Sequence, residues 1–180
     1  VETTFHSHAQ RPLQIGIDKD WAMIAAGGRS SYAIKSDGSF YVWGRGYRSE
    51  LGDGIESNQL TPKKLEGFEN CKEVYAIRSE VIVLKKDGTY WAWGSIFSRL
   101  PVKIGNTSDW SKVIAGYDKF IIQKTDGSLW YLRFLDKPLI RVNEEQSQWK
   151  SIASSESHLL AIKKDGSLWV KGRSLEGQSG

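Results

Sequence analysis

The sequence predicts an all-β fold, a β-propeller of four-stranded antiparallel blades, with four repeat units in the chain. The first observation behind this is repetition: four blocks of 23 residues align without a gap on their Asp-Gly pairs. The second is that each Asp-Gly pair separates two short apolar runs, which is typical of a β-hairpin. The third is that no segment shows sustained helical periodicity. Antiparallel units repeated with evenly spaced turns indicate blades around an axis.

Three strands are expected in each block. The blocks span residues 21–43, 71–93, 110–132 and 149–171, and their aspartates are Asp37, Asp87, Asp126 and Asp165. The first apolar run contains Ile24, Val74, Val113 or Ile152, the second leads into K-x-D-G, and the third follows the glycine at once. Asp and Gly tolerate positive φ, so we expect a type I′ turn at each pair.

The fourth strand of each unit is assigned to a proline-led segment. These segments read RPLQI, TPKKL, LPVKI and KPLIRV, and proline, which has no N–H group, suits an edge strand. The units lie near residues 12–43, 62–93, 101–132 and 138–171, with terminal loop segments at 1–11 and 172–180. At the usual 100 to 200 residues per domain, residues 1–180 are expected to form a single domain.

Closure of the ring is the remaining question about the fold. We expect residues 12–15 to pair with the block that begins at Trp149, which would complete the last blade. The alternatives are self-assembly of several chains, or an excerpt of a longer propeller, whose edge strands would be open.

The eight tryptophans fall in three columns of the repeat: the block start, four residues after the Asp, and six residues after it. Aromatic residues repeated by column are expected to pack between neighbouring blades. The alternative is that they stack on a carbohydrate.

The charge, the apolar stretches and the few cysteine and histidine residues exclude several classes of function. The formal net charge is only +4, which by itself does not predict nucleic-acid binding, and no apolar stretch is long enough to span a membrane as a helix. Cys71 is the single cysteine and stands in a tryptophan column, so it is expected to be a buried small hydrophobic residue. The H-x-H pair at His6 and His8 lacks a third ligand nearby, and His158 lacks partners at a catalytic spacing. We therefore expect no enzyme activity, no metal and no cofactor.

Strand order places the Asp-Gly turns at one end of the propeller and the long variable loops at the other. We call this second end the loop face and assign to it residues 1–11, 27–31, 44–61, 77–80, 94–100, 116–119, 133–137, 155–158 and 172–180. It contains eight of the nine arginines but only two of the sixteen lysines. Arginine is enriched at protein interfaces and lysine is depleted there, which favours a partner-binding face over a merely solvated one.

The candidate partner-binding residues combine these arginines with loop aromatics that have no packing column. They are Arg29, Arg45, Tyr47, Arg48, Arg78, Phe97, Arg99, Tyr117, Arg133, Phe134 and Arg173. Arginine with tyrosine or phenylalanine is the composition of binding hot spots. The loop face carries ten basic and nine acidic residues, too small an excess for phosphate-driven binding, so nucleic acid is not the expected partner.

The blocks also resemble a known repeat family. The pattern W-x-x-I-A-A-G…A-I-K-x-D-G-S-L-W-x-W-G, with the loop GRGYRSELGDG at residues 44–54 and the following T-P, is similar to the repeats of the regulator of chromosome condensation family. This resemblance implies propeller blades, commonly seven, whereas this chain has four units, and its second and third blocks lack the E-L-G-D-G loop.

A non-enzymatic module that binds a protein partner, or a scaffold, is the function that these observations favour. The resemblance also implies two alternatives, a guanine-nucleotide exchange factor for a small GTPase and a secreted enzyme inhibitor; a carbohydrate-binding propeller is a third. The likeness to secreted bacterial inhibitors favours an extracellular location over the cytoplasm, and the sequence does not identify the partner.

Overall fold

The computed structural model describes residues 11–133, 135, 137–142, 149–155, 158–172 and 177, and it contains no helix within them. The strands form four separate antiparallel sheets, one for each 23-residue block, which confirms the all-β prediction; each proline-led segment that forms a strand joins the sheet of the block before it. Blade 1 contains β1 (Trp21–Ala26), β2 (Ser30–Lys35), β3 (Phe40–Gly44) and β4 (Gln59–Lys64). Blade 2 contains β5 (Cys71–Ile77), β6 (Glu80–Lys85), β7 (Tyr90–Gly94) and β8 (Ser98–Lys103). Blade 3 contains β9 (Trp110–Ala115), β10 (Phe120–Lys124), β11 (Leu129–Leu132) and β12 (Ile140–Arg141). Blade 4 contains β13 (Trp149–Ser154), β14 (His158–Lys163) and β15 (Leu168–Gly172).

The proline-led segments form the outer strands of the first three blades. β4 contains Pro62 and β8 contains Pro101, and each pairs with only one neighbour, the third strand of its block. β12 follows Pro138 and pairs with β11 in the same way. An edge strand needs only half of its backbone groups for pairing, so the missing N–H of proline is tolerated there.

The Asp-Gly turns differ from the predicted type. Lys35 N donates to Ser39 O at 3.0 Å and Gly38 N donates to Lys35 O at 2.8 Å, while only Gly38 of the Asp-Gly pair has positive φ, at 91°. This is a type I turn followed by a left-handed glycine, a three-residue hairpin loop, and the type I′ prediction is wrong. The reason is local: Asp37 Oδ1 accepts hydrogen bonds from Ser39 N at 2.8 Å and Ser39 Oγ at 2.6 Å, which hold the aspartate outside the left-handed region.

Neighbouring blades pack face to face through apolar side chains. Contacts between blades run from β1 to β5, from β5 to β9, and from β9 to β13. Between the first two blades, the Trp93 ring is fully buried and lies 5.5 Å from the Phe40 ring and 5.4 Å from the Phe68 ring, in edge-to-face geometry. Trp93 therefore has the packing role that the sequence predicts.

The predicted pairing of residues 12–15 with the last block does not occur. Residues 12–15 belong to no strand, and blade 4 has three strands in the part of the chain that the structure describes. Leu13 and Ile15 instead line an open cavity of about 690 Å³ on the outer face of blade 1, beside Ile24. Ile24 is 75% exposed although Val74, its counterpart in blade 2, is buried, because no blade packs on this face in the described structure.

Candidate functional site

The loop face is assembled by backbone hydrogen bonds within and between blades. Gly28 N, in the β1–β2 loop, donates to Arg78 O of blade 2 at 2.6 Å. Arg45 N, just after β3, donates to Arg29 O at 2.8 Å. Arg78 has a φ of 44°, a left-handed conformation in the tight β5–β6 turn. Three loops from two blades are thereby held side by side.

The long loop at residues 44–54 is folded around Glu50. This side chain is 1% exposed; its Oε1 accepts from Arg45 Nε at 2.8 Å, and its Oε2 accepts from Arg48 N at 2.6 Å. The backbone oxygen of Glu50 accepts hydrogen bonds from Tyr32 Oη at 3.0 Å and Trp93 Nε1 at 2.8 Å. Burial raises the pKa of the Tyr32 hydroxyl, which keeps it protonated as a donor to this oxygen. Glu50 thus fixes the loop to the buried side chains of two blades.

Four of the candidate arginines line one pocket of about 300 Å³, which we call the arginine pocket. Its lining residues are Gly28, Arg29, Arg45, Arg48, Glu50, Arg78 and Ser79. Arg29, Arg48 and Arg78 are exposed, whereas the Arg45 side chain is 24% exposed and forms an ion pair with Glu50. The structure therefore brings together arginines that are up to 49 positions apart in the sequence, because two blades meet at this point.

A second recess of about 460 Å³ lies next to the arginine pocket, and Arg48 lines both. We call it the aromatic depression; Tyr47, Arg48, Glu56, Ile96, Phe97 and Arg99 are among its lining residues. Tyr47 is 59% exposed, whereas Phe97 is half-buried and stacks at 6.2 Å on Phe120. Arg99 forms an exposed ion pair with Glu56, so its charge is already compensated.

The remaining candidates lie apart from these recesses or outside the described residues. The Arg78 guanidinium lies 4.8 Å from the centre of the Tyr117 ring, which connects the edge of the arginine pocket to blade 3. Arg133 is exposed and lines neither recess. Phe134 and Arg173 lie outside the described residues, and their assignment to the loop face stays a prediction.

Sequence reasoning missed Glu50 as an organising residue. It counted Glu50 only as one of nine acidic residues of the loop face. The available signal was the placement of one glutamate between Arg45-x-x-Arg48 and an apolar Leu51, because a carboxylate next to a buried leucine must find partners.

Other polar groups have local roles. Cys71 is buried, and its burial raises the thiol pKa to about 12, as expected for an unreactive packing residue. Ser155 Oγ lies 2.8 Å from His158 Nδ1 and accepts a bond from His158 N at 3.3 Å, bridging the ends of one short loop. His6 and His8 lie outside the described residues. Within the described ranges, no three His, Cys, Asp or Glu side chains are grouped to hold a metal ion.

The described residues also include no helix of the length and apolarity that a bilayer span requires.

Comparison with known proteins agrees with the repeat pattern. The sequence model of the regulator of chromosome condensation (RCC1) repeat matches residues 37–78. The human E3 ubiquitin-protein ligase HERC2 is 35% identical over 80 residues, which are 43% of this chain and 2% of HERC2. The curated relatives are thus matched over a small part of their own length.

Solved structures agree with the fold. Yeast RCC1 (Prp20), solved bound to Kap60, overlays with a TM-score of 0.73 at 17% identity, covering 91% of this chain and 46% of that one. Human WBSCR16 overlays with a TM-score of 0.75 at 17% identity, covering 100% of this chain and 55% of that one. Residues 37–78 thus match the RCC1 repeat, and the four units in one frame, with this shared architecture, fold as β-propeller blades.

Proposed function

We propose that this chain is a non-enzymatic module that binds a protein partner through its loop face. The observation that carries the proposal is the convergence of the arginine pocket and the aromatic depression, which share Arg48. Exposed arginine and tyrosine on a preformed recess are the residue types that dominate binding energy at protein interfaces. Hydrogen bonds from Tyr32 and Trp93 to the backbone oxygen of Glu50 hold the loop in place, so the loop needs little ordering when a partner binds.

The family context supports a protein as the partner. The solved yeast RCC1 (Prp20) structure contains a bound protein, Kap60, and proteins of this repeat type are generally regulators or binders. Exchange-factor activity, enzyme inhibition and carbohydrate stacking are narrower alternatives. The site favours protein binding over carbohydrate stacking, because its defining groups are arginines rather than exposed tryptophans. Exchange-factor activity and enzyme inhibition are both forms of protein binding, and the identity of the captured partner decides between them. An extracellular location is likewise part of the proposal and is tested by fractionation of the native host.

Affinity capture followed by quantitative binding tests the proposal. The full chain is used to capture proteins from the native host, and a captured protein is purified and titrated with the wild-type chain and with the Tyr47→Ala and Arg48→Ala variants. Each substitution should weaken binding by roughly 1 to 4 kcal/mol, the range of hot-spot truncations. Both side chains are exposed, so stability should change by only about half a kcal/mol.

The control must lie at the opposite end of the propeller and have no packing role. Lys85 is unsuitable, because its Nζ lies 4.2 Å from the Phe68 ring centre and 4.9 Å from that of Trp91. Lys164 is exposed in the turn before Asp165, and Lys164→Ala should leave partner affinity unchanged. If Lys164→Ala weakens binding as much as Arg48→Ala, the loop face is not the interface.

A further inference from the structure

The arginine pocket is lined by more basic than acidic residues. Its lining includes four arginines and one glutamate, a summed formal charge of +3 for these residues. Glu50 is engaged by Arg45 Nε and by the backbone of Arg48. Among the described residues, the loop-face arginines that form ion pairs are Arg45 and Arg99, whereas Arg29, Arg48 and Arg78 form none. Three of the arginines that line this recess therefore form no ion pair within the described residues.

We infer that the arginine pocket binds a carboxylate group of the protein partner, beside which an apolar side chain occupies the aromatic depression. This inference rests on the proposed function, because it supplies the chemistry that the loop face would recognise. Guanidinium groups bind carboxylates through paired, charge-assisted hydrogen bonds, and several around one recess can satisfy both oxygens. Arg48 lines both recesses, so an acidic residue and its apolar neighbour would lie on either side of it.

A carboxylate is the anion that we assign to this pocket, and nearby acidic groups argue against a polyanion. The buried carboxylate of Glu50 forms part of the wall, and it repels any anion that enters. The attraction of the arginines and the repulsion of Glu50 both scale with the charge of the anion, so the phosphoserine peptide in the test below decides between a carboxylate and a phosphate group. The loop face as a whole carries ten basic and nine acidic residues, which also disfavours polyanions.

Anchoring of the pocket walls favours binding without rearrangement. Arg45 is held by Glu50, and the loops that carry Arg29 and Arg78 are fixed by the Gly28 N to Arg78 O and Arg45 N to Arg29 O hydrogen bonds. The Arg78 guanidinium is further oriented by its stacking on Tyr117. Only the ends of exposed side chains need to become ordered around the ligand, which lowers the entropic penalty.

The test uses the full chain labelled with ¹⁵N, observed through the arginine side-chain Nε–Hε signals. The probe is the blocked dipeptide acetyl-Phe-Glu-amide, and its matched control is acetyl-Phe-Gln-amide, which has the same shape without the charge. We expect saturable shifts for Arg29, Arg48 and Arg78 with the glutamate peptide only. Acetyl-Phe with a free carboxyl terminus distinguishes a chain terminus from an acidic side chain as the source of the carboxylate. Signals are assigned with single Arg→Lys variants.

The single Arg→Lys variants separate the contribution of guanidinium geometry to peptide binding from the contribution of positive charge. Arg48→Lys keeps the charge but loses the paired donors, so peptide affinity should fall by about tenfold. Lys164→Gln, which removes a charge at the opposite end, should have no effect. Equal binding of the glutamine peptide, unchanged affinity in Arg48→Lys, or tighter binding of acetyl-Phe-phosphoserine-amide would each overturn the carboxylate assignment.

The outcome separates this inference from the proposed function. If the peptide fails to bind while Tyr47→Ala and Arg48→Ala still weaken the protein partner, the loop face is the interface but its anchor is not a carboxylate. If the peptide binds while those variants leave partner affinity unchanged, the anion site stands and the protein-binding role of the face does not.

Discussion

Glu50 and Arg45 form a largely buried ion pair within a single loop, with 2.8 Å between Glu50 Oε1 and Arg45 Nε. The pair is more than a surface contact, because Glu50 is 1% exposed and also accepts a 2.6 Å hydrogen bond from Arg48 N. Removal of this carboxylate leaves the Arg45 charge and the Arg48 N–H without an acceptor. The pair therefore links the stability of the loop to the shape of the arginine pocket.

Glu50→Ala should lower the free energy of unfolding by roughly 1.5 to 3 kcal/mol, the range for hydrogen bonds to charged groups. Urea unfolding followed by tryptophan fluorescence measures the change. Glu56→Ala is the matched control, because the Glu56–Arg99 pair is exposed and should contribute at most about 1 kcal/mol. Equal effects of the two substitutions would show that the buried pair does not organise the loop.

Gly44 allows a close approach between two strands at the start of the same loop. Its φ is 104°, and a Cβ atom placed there would lie 2.6 Å from Arg29 O and 2.8 Å from Ser30 Cα. Gly44→Ala should therefore lower the free energy of unfolding by roughly 2 to 4 kcal/mol, by combining left-handed strain with a backbone clash.

Gly88 provides the control for this substitution. Its φ is 83°, but nothing lies within 4 Å of an added Cβ, so Gly88→Ala should show only the left-handed strain of about 1 to 2 kcal/mol. The difference in urea midpoint between the two variants measures the clash alone. If the variants unfold at the same midpoint, the close approach at Gly44 has no energetic consequence.

The blade architecture could be predicted from the sequence because the signals for its hairpins lie between residues close together in the chain. Asp37 and Gly38, with an apolar run on either side, specify a hairpin without any distant contact. The turn type was mispredicted because positive φ at the aspartate is tolerated but not required, and the hydrogen bonds from Ser39 favour the other conformation. Pairing of residues 12–15 with the last blade was mispredicted because it depends on how far the arc of blades curves, which no local pattern reports.

The candidate site was predicted by residue type but not by geometry. The enrichment of arginine on the loop face identified Arg29, Arg45, Arg48 and Arg78, but their convergence depends on a backbone bond between blades, from Gly28 N to Arg78 O. The sequence neighbours of Glu50 indicate that its carboxylate needs partners, but they do not indicate what its backbone oxygen binds. Its carbonyl partners, Tyr32 and Trp93, are 18 and 43 positions away, and their approach follows from how the two blades pack.

Acid should destabilise the protein through its four Asp-Gly turns. Hydrogen bonds from Ser39, Ser128 and Ser167, and from Thr89 in the second blade, lower the pKa values of the four aspartates, Asp37, Asp126, Asp165 and Asp87. A folded-state pKa below the unfolded value means that the stabilisation is present above the unfolded pKa, about 3.9, and is lost as the pH falls through the folded pKa.

The measurement is the melting temperature between about pH 5 and pH 2, across the unfolded and folded pKa values of these aspartates. The wild-type chain should lose stability steadily as the pH falls. A variant with all four aspartates changed to Asn keeps an acceptor at Oδ1 but cannot titrate, so its melting temperature should depend less on pH in this window. If the melting temperatures of the two proteins fall in parallel with pH, groups other than these four aspartates cause the sensitivity to acid.

The salt dependence of partner binding provides a test of the loop-face chemistry that does not rely on mutation alone. A protein that neutralises phosphates releases counterions, and the logarithm of its binding constant falls with the logarithm of salt by about 0.9 per phosphate. The loop face has ten basic and nine acidic residues, and Arg45 and Arg99 are already paired with Glu50 and Glu56. Binding of a captured protein partner should therefore have a shallow slope, and a DNA duplex should not bind at about 0.15 M salt, where the Debye length is about 8 Å. Arg48→Ala should reduce affinity at every salt concentration and change the slope by less than about one, because it removes a single charged contact. A steep slope for the wild-type chain, reduced equally by substitution of the loop-face arginines and of Lys164, would instead indicate a polyanionic partner that binds over the whole surface.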